Sequence, residues 1–212
     1  ASAQTPIQVR DAMDEAYRTY YANVHRGIHR LSQIATDHYE EARSKAARFV
    51  NASNEDEIVF TRGATEAINL VAHSFGEAFL QPGDEILISE MEHHSNIVPW
   101  QLLAERRGLT VKAIPIDDAG NVDLEAYGKL LGPKVKLVAI THISNALGSV
   151  VPIKQVARMA HDAGARILVD GCQAAPHMAI DVRDLDADFY CFSSHKIYGP
   201  TGMGVLYGKM EL

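Results

Sequence analysis

Only two of the 212 residues are cysteine, Cys172 and Cys191, and each sits inside an apolar run. That usage argues against a disulfide framework and leads us to expect a reducing, cytoplasmic setting. No apolar stretch approaches the length of a membrane span, and the opening ASAQTPIQ lacks a charged segment followed by an apolar core, so no membrane partner is expected. Positive charge is scarce as well. Lys and Arg total 20 against 27 Asp and Glu, a formal charge of -7 with no basic stripe, and nucleic acid is therefore not an expected partner. The chain has no G-x-G-x-x-G turn, no G-x-x-x-x-G-K-[ST] loop and no Cys/His cluster, which removes the main support for dinucleotide, nucleoside-triphosphate and zinc sites. His25 and His29 are spaced like a helical metal pair, but no third ligand follows them.

What is present is a hydrophobic fraction of 47%, enough to bury a substantial core. Residues 5 to 23 and 33 to 51 show helical spacing and flank the segment VHRGIH. From residue 57 onward, short apolar runs alternate with amphipathic helices: EIVFTR, ATEAINLVAHSFGEAFL, DEILIS, NIVPWQLLAERRG, LTVKAIPI, LEAYGKLL, KLVAITHI, PIKQVARMAHDAG, RILVDG, DFYCFS and GVLYG. Strands this uniformly apolar are buried on both faces, so the expected fold is α/β, a mostly parallel sheet with helices on both faces. Pro82-Gly83-Asp84 and Asp117-Asp118-Ala119-Gly120 read as turns within one domain covering residues 1 to 212.

Ligands of such sheets gather beyond the carboxyl ends of the strands, so the polar residues after each apolar run are the candidates. They are Thr61 to Glu66, Glu90 to His94, Ser144-Asn145, Asp170 to Gln173, and Ser193 to Lys196. A lysine held in a desolvated crevice can act as a nucleophile and form Schiff bases, which fits Lys196. The cofactor this implies is pyridoxal 5'-phosphate, whose ring nitrogen needs an acidic partner. Asp170, which ends RILV, would be costly there without a cation. Gly63, Ala64 and Thr65 open a helix, where free N–H groups attract a phosphate, with Ser193 and His195 as further donors. His93 can lie flat on the ring, and Asn145 and Gln173 can bond its phenolic oxygen. Each residue has a plainer reading. Thr65 can be a helix cap, Asp170 a turn residue or an arginine's partner, Asn145 a turn residue, Gln173 a surface amide, and Lys196 a solvated lysine. The weight lies in their conjunction, because five strand ends each supply a group that one cofactor needs.

The stretches VHRGIHRLS, FTRGATEAINLVA, MEHHSNIVPWQ, THISNALGSVVPI, LVDGCQAAPHMAIDV and FYCFSSHKIYGPTGMGVLYG resemble the SufS-type cysteine desulfurases, a group that also includes selenocysteine lyases. This group lies in the class V branch of the fold-type I pyridoxal-phosphate enzymes, and EHHSNIVPW marks the subgroup. The resemblance implies that Lys196 carries the cofactor and acts in catalysis with His93, which stacks on the ring. It places Asp170 at the pyridinium nitrogen, Ala64, Thr65, Ser193 and His195 at the phosphate, Asn145 and Gln173 at the phenolic oxygen, and His25 and Arg26 at the border of the substrate pocket. The implied reaction converts L-cysteine to L-alanine in a homodimer, with the sulfur passing as an enzyme persulfide to an acceptor protein for iron-sulfur cluster assembly. L-selenocysteine, or a kynureninase-like substrate, is the alternative within the branch.

Family members are considerably longer than this chain. The resemblance therefore implies a large cofactor-binding domain without the small domain, without the arginine that holds the substrate carboxylate and without the sulfur-accepting cysteine. Little turnover by the isolated chain is expected, and a non-catalytic module is the competing reading. Cys172 and Cys191 do not match the accepting position, and Ala64 stands where many members have a second threonine.

Overall fold

The computed structural model describes residues 2–212. Two helices, α1 (Ile7–Thr19) and α2 (Arg30–Val50), precede the sheet. Both were expected, but their bounds differ from the periodicity. Helix α1 buries no residue, so nothing in the core extends it past Thr19. Helix α2 begins three residues early because the His29 imidazole caps it, accepting the Ser32 N–H at 3.2 Å.

Seven strands follow: β1 (Ile58–Thr61), β2 (Glu85–Ser89), β3 (Thr110–Ile114), β4 (Val135–Thr141), β5 (Arg166–Asp170), β6 (Phe189–Ser193) and β7 (Gly204–Gly208). Their order across the sheet is β1-β7-β6-β5-β4-β2-β3. Strand β7 runs antiparallel to both β1 and β6, while the β6-β5-β4-β2-β3 pairs are all parallel. The connecting helices are α3 (Ala64–Val71), continued through a wide turn into α4 (Glu77–Phe79), then α5 (Val98–Arg107), α6 (Leu124–Leu130) and α7 (Ile153–Asp162).

The period of two along the strands divides the core into halves. Leu137, Ala139, Leu168 and Cys191 pack with Ala67, Ile68 and Val71 of α3 and with Trp100 and Leu103 of α5. Their neighbours Val138, Ile140, Ile167, Val169 and Tyr190 pack on the other face with Tyr127 of α6, Val156 and Ala160 of α7, and Val50 of α2. Helices thus cover both faces, as the apolar runs required. No described helix is long and apolar enough to cross a membrane.

The sheet's edge opposite the strand ends is pinned by a charged cluster. Asp188, fully buried, accepts from Ile167 N at 2.8 Å and His161 Nε2 at 2.8 Å, and pairs with Arg166 and Lys209 at 3.2 Å. His161 Nδ1 also reaches Asp186 at 3.0 Å. The Asp188 hydrogen bond holds His161 above its ordinary pKa. Burial pushes Asp188 up, but His161 and the Ile167 N–H outweigh it and leave the carboxyl below its ordinary value.

Candidate functional site

The strand ends converge on a cavity of about 310 Å³ lined by Ala64, Thr65, His93, Ser95, Asn145, Asp170, Cys172, Gln173, Ser193, His195 and Lys196. All nine residues singled out as cofactor-binding are on that wall. It continues into an outer hollow of about 700 Å³, with which it shares Thr65, Ser193 and His195.

At one end of the cavity is the start of α3. Gly63 has φ +153° and ψ 172°, a backbone state that is essentially glycine's alone. Gly204 lies against it, and a Cβ on Gly204 would stand 2.5 Å from Gly63 Cα, so two glycines are needed where β7 passes the loop. Ser193 Oγ accepts the Ala64 N–H at 2.9 Å, which leaves the hydroxyl proton to donate. This end combines a helix N-terminus, two hydroxyls and an imidazole, a donor set suited to an anion.

Asp170 ends β5, is buried, and accepts the Cys172 N–H at 2.9 Å. Gly171 turns the chain directly over the Tyr190 ring, leaving no room for a side chain. Burial pushes the Cys172 thiol up to about 12, with the Asp170 charge adding to the effect, so it is a protonated wall group.

Lys196 lies on a short 3-10 turn, Ser194–Lys196, after β6. The following loop is closed by Ser194, whose Oγ donates to Pro200 O and approaches Met203 O at 2.9 Å, and by Gly199 N–H to Ser194 O at 2.8 Å. Gly202 supplies a left-handed turn at φ +78°, and Tyr198 is held at φ +68°. Lys112, Lys129, Lys154 and Lys209 are each paired with carboxylates. Lys196 enters no ion pair among the described residues and lines the cavity instead.

His93 caps the turn His94–Asn96, with Nδ1 accepting the Ser95 N–H at 3.2 Å and lying 2.7 Å from Ser95 Oγ. Burial, then the neighbouring His94 and Lys196, hold His93 below its ordinary pKa, which favours a neutral ring. A neutral flat imidazole is suited to stacking on an aromatic plane. Asn145 occupies an exposed loop held by the Ser144 and Ser149 backbones at 3.0 Å.

His25 and Arg26 are not on the cavity wall. They are exposed on the turn before α2, where His25 has φ +65° and pairs with Glu40 at 2.8 Å. The His25/His29 spacing is not helical, and no cluster of metal-binding groups occurs among the described residues. Glu92 is among the polar residues that follow β2, but sequence reasoning gave it no role and did not single out its partners Asn96 and Trp100. Their i, i+4, i+8 spacing was the available signal, and they form a buried chain of hydrogen bonds behind His93.

Comparison with known proteins agrees with the architecture. A cysteine desulfurase of Dickeya dadantii is 56% identical over 212 residues, all of this chain and 52% of that protein. A probable cysteine desulfurase of Halalkalibacterium halodurans is 54% identical over 99% of this chain and 52% of its own length. The apo cysteine desulfurase structure from Thermococcus onnurineus superposes with a TM-score of 0.94 at 48% identity, covering 99% of this chain and 52% of that one. The chain thus spans about half the length of these relatives. The family described as aminotransferase class-V matches residues 1–212, and this chain belongs to it.

Proposed function

We propose that this chain is the large, cofactor-binding domain of a pyridoxal-phosphate-dependent cysteine desulfurase of the SufS group. The observation that carries the reading is a single unpaired lysine, Lys196, on the wall of a cavity that also presents a buried carboxylate, a flat imidazole and a helix N-terminus. Bound there, pyridoxal phosphate supplies an aldehyde for an amine and a ring that takes up electron density. The lining fits it: Thr65, Ser193, His195 and the Ala64 end of α3 as donors for phosphate, Asp170 as acceptor for the protonated ring nitrogen, His93 for the ring face, Asn145 and Gln173 for the phenolic oxygen.

In this reading Lys196 Nζ would hold the cofactor through its aldehyde and, when free, would take the Cα proton of bound L-cysteine. Asp170 keeps the ring nitrogen protonated and His93 fixes the ring plane. A thiolate then takes the substrate sulfur, so that L-cysteine and a thiol become L-alanine and a persulfide. Cys172 and Cys191 are buried with raised pKa values and do not serve as that thiol. The sulfur is passed to an acceptor protein for iron-sulfur cluster assembly. We also assign a homodimer, supported by α1, which buries nothing while exposing Ile7, Met13, Tyr17 and nearby Tyr21. His25 and Arg26 then border the substrate's path from their exposed turn. Two unpaired, buried thiols fit a cytoplasmic setting.

The test is a set of three proteins assayed for L-alanine: this chain alone, this chain fused to the remaining half of a cysteine desulfurase relative, and the fusion with Lys196→Ala. Expected are little or no release by the chain alone, L-alanine and sulfur in equal amounts from the fusion, and none from the variant. A fusion that binds pyridoxal phosphate but leaves L-cysteine untouched would contradict the reaction assigned.

A further inference from the structure

Glu92 is a buried carboxyl one residue before His93, and the reaction described above makes no use of it. Its Oε1 accepts the Thr141 backbone N–H at 2.8 Å and also the Ser89 hydroxyl, while Oε2 accepts from Asn96 Nδ2 at 2.8 Å. Asn96 Oδ1 in turn accepts the Trp100 Nε1–H at 3.0 Å. An indole nitrogen can only donate, so Trp100 fixes which end of the Asn96 amide faces Glu92. A backbone N–H can only donate as well. Two of the three partners of Glu92 are therefore obligate donors, and the group between them must be an acceptor on both oxygens. Only the Ser89 hydroxyl can reverse its role.

These bonds cross the fold. Ser89 ends β2, Asn96 and Trp100 hold the loop and the start of α5, and Thr141 ends β4 in register with Asp170 on β5. The carboxyl therefore ties the loop that carries His93 to the strand beside the one that carries Asp170. Burial pushes Glu92 up to about 7 against these hydrogen bonds, and the Asp170 charge adds to the rise, in keeping with a joint set close beneath the site.

We propose that Glu92 is a positioning residue whose buried hydrogen bonds set the height of the His93 imidazole over the cavity relative to Asp170. This rests on the pyridoxal-phosphate reading of that cavity. In Glu92→Gln, one amide nitrogen must face either Thr141 N–H or Asn96 Nδ2, leaving two donors opposed. The paired change Glu92→Gln with Asn96→Asp removes the conflict, because the carboxylate introduced by the second change accepts from both the new amide and Trp100.

The experiment measures pyridoxal-phosphate affinity and the visible circular dichroism of the bound cofactor in wild type, E92Q, E92Q/N96D, S89A and His93→Ala. Expected in E92Q is a loss of affinity of roughly tenfold or more, the scale of one buried hydrogen bond to a charged group. Its dichroic band is expected to move towards that of His93→Ala, and E92Q/N96D is expected to restore both. An E92Q protein that melts earlier but keeps the wild-type band and affinity has lost only stability, which overturns the proposal. If E92Q does not fold, S89A decides, since it removes one of the three donors: a displaced band supports the proposal and an unmoved one overturns it. A wild type that takes up no pyridoxal phosphate overturns the functional reading and this proposal together, whereas uptake with an unmoved band overturns this proposal alone.

Discussion

Replacing Gly204 by alanine tests how the anion end of the cavity is built. Gly204 opens β7 between two strands that end at the site, paired to Thr61 of β1 and to Ser193 of β6. The added Cβ would stand 2.5 Å from Gly63 Cα, 2.7 Å from its carbonyl carbon and 2.8 Å from its nitrogen. Carbon atoms in ordinary contact lie about 3.5 to 4.0 Å apart. The Gly63 backbone must therefore move by roughly 1 Å, with no flexible side chain to absorb the shift. Overpacking of this kind costs about 1–3 kcal/mol, and in a chain of this size each kcal/mol lowers Tm by about 2–4 °C, so the expected drop is about 2–12 °C. The same shift moves Ala64 N–H from Ser193 and turns the first amides of α3 away from a phosphate. Thermal unfolding and equilibrium dialysis with pyridoxal phosphate measure the two effects. Gly132→Ala is the control, because nothing lies within 4 Å of its added Cβ. A Gly204→Ala protein with unchanged Tm and unchanged affinity would refute the close-approach argument.

Two further outcomes follow from other parts of the structure. Ser193→Ala leaves the buried Ala64 N–H without its 2.9 Å acceptor, so a loss of about 1–3 kcal/mol is expected along with weaker cofactor retention; denaturant unfolding without that loss would contradict the bond's role. Asp188→Asn leaves Arg166 without its carboxylate and His161 and Lys209 with Asp186 alone, and about 1–3 kcal/mol should be lost. Its pH dependence has a definite sign. The lowered Asp188 value gives stability that is present above pH 3.8 and lost as pH falls through the native value. The raised His161 value gives stability that is full below pH 6.5 and lost as pH rises through the native value. Wild type should therefore exceed the variant most between those limits, and parallel Tm profiles across pH would contradict the network.

The seven strands are legible in the sequence because a sheet covered on both faces demands apolar residues at every position, as in KLVAITHI and RILVDG. The candidate site is legible for a related reason: where an apolar run stops, the polar residues that follow stand at the sheet's open edge, as Asp170, Ser193 and Lys196 do. The role of Glu92, another polar residue after a strand, is harder to see. The residue lies beyond the end of its strand, and its partner Thr141 is 49 positions away, so only tertiary structure shows what holds it. The α2 start departs from the expected one because Ser, Thr, Asp or Asn are the usual caps, whereas a histidine does that work here. His25 and Arg26 carry no local signal that locates them relative to the cavity, because the turn that bears them is fixed by Glu40 and Thr36 of α2.

The central claim is that the cavity beneath the strand ends delivers Lys196 to the aldehyde of pyridoxal phosphate. Borohydride reduction of the protein with bound cofactor, followed by peptide mass mapping, tests it directly. A single pyridoxyl group on the peptide containing Lys196 is the predicted result. Labelling that is absent, or scattered over Lys112, Lys129 and the other surface lysines, would contradict it.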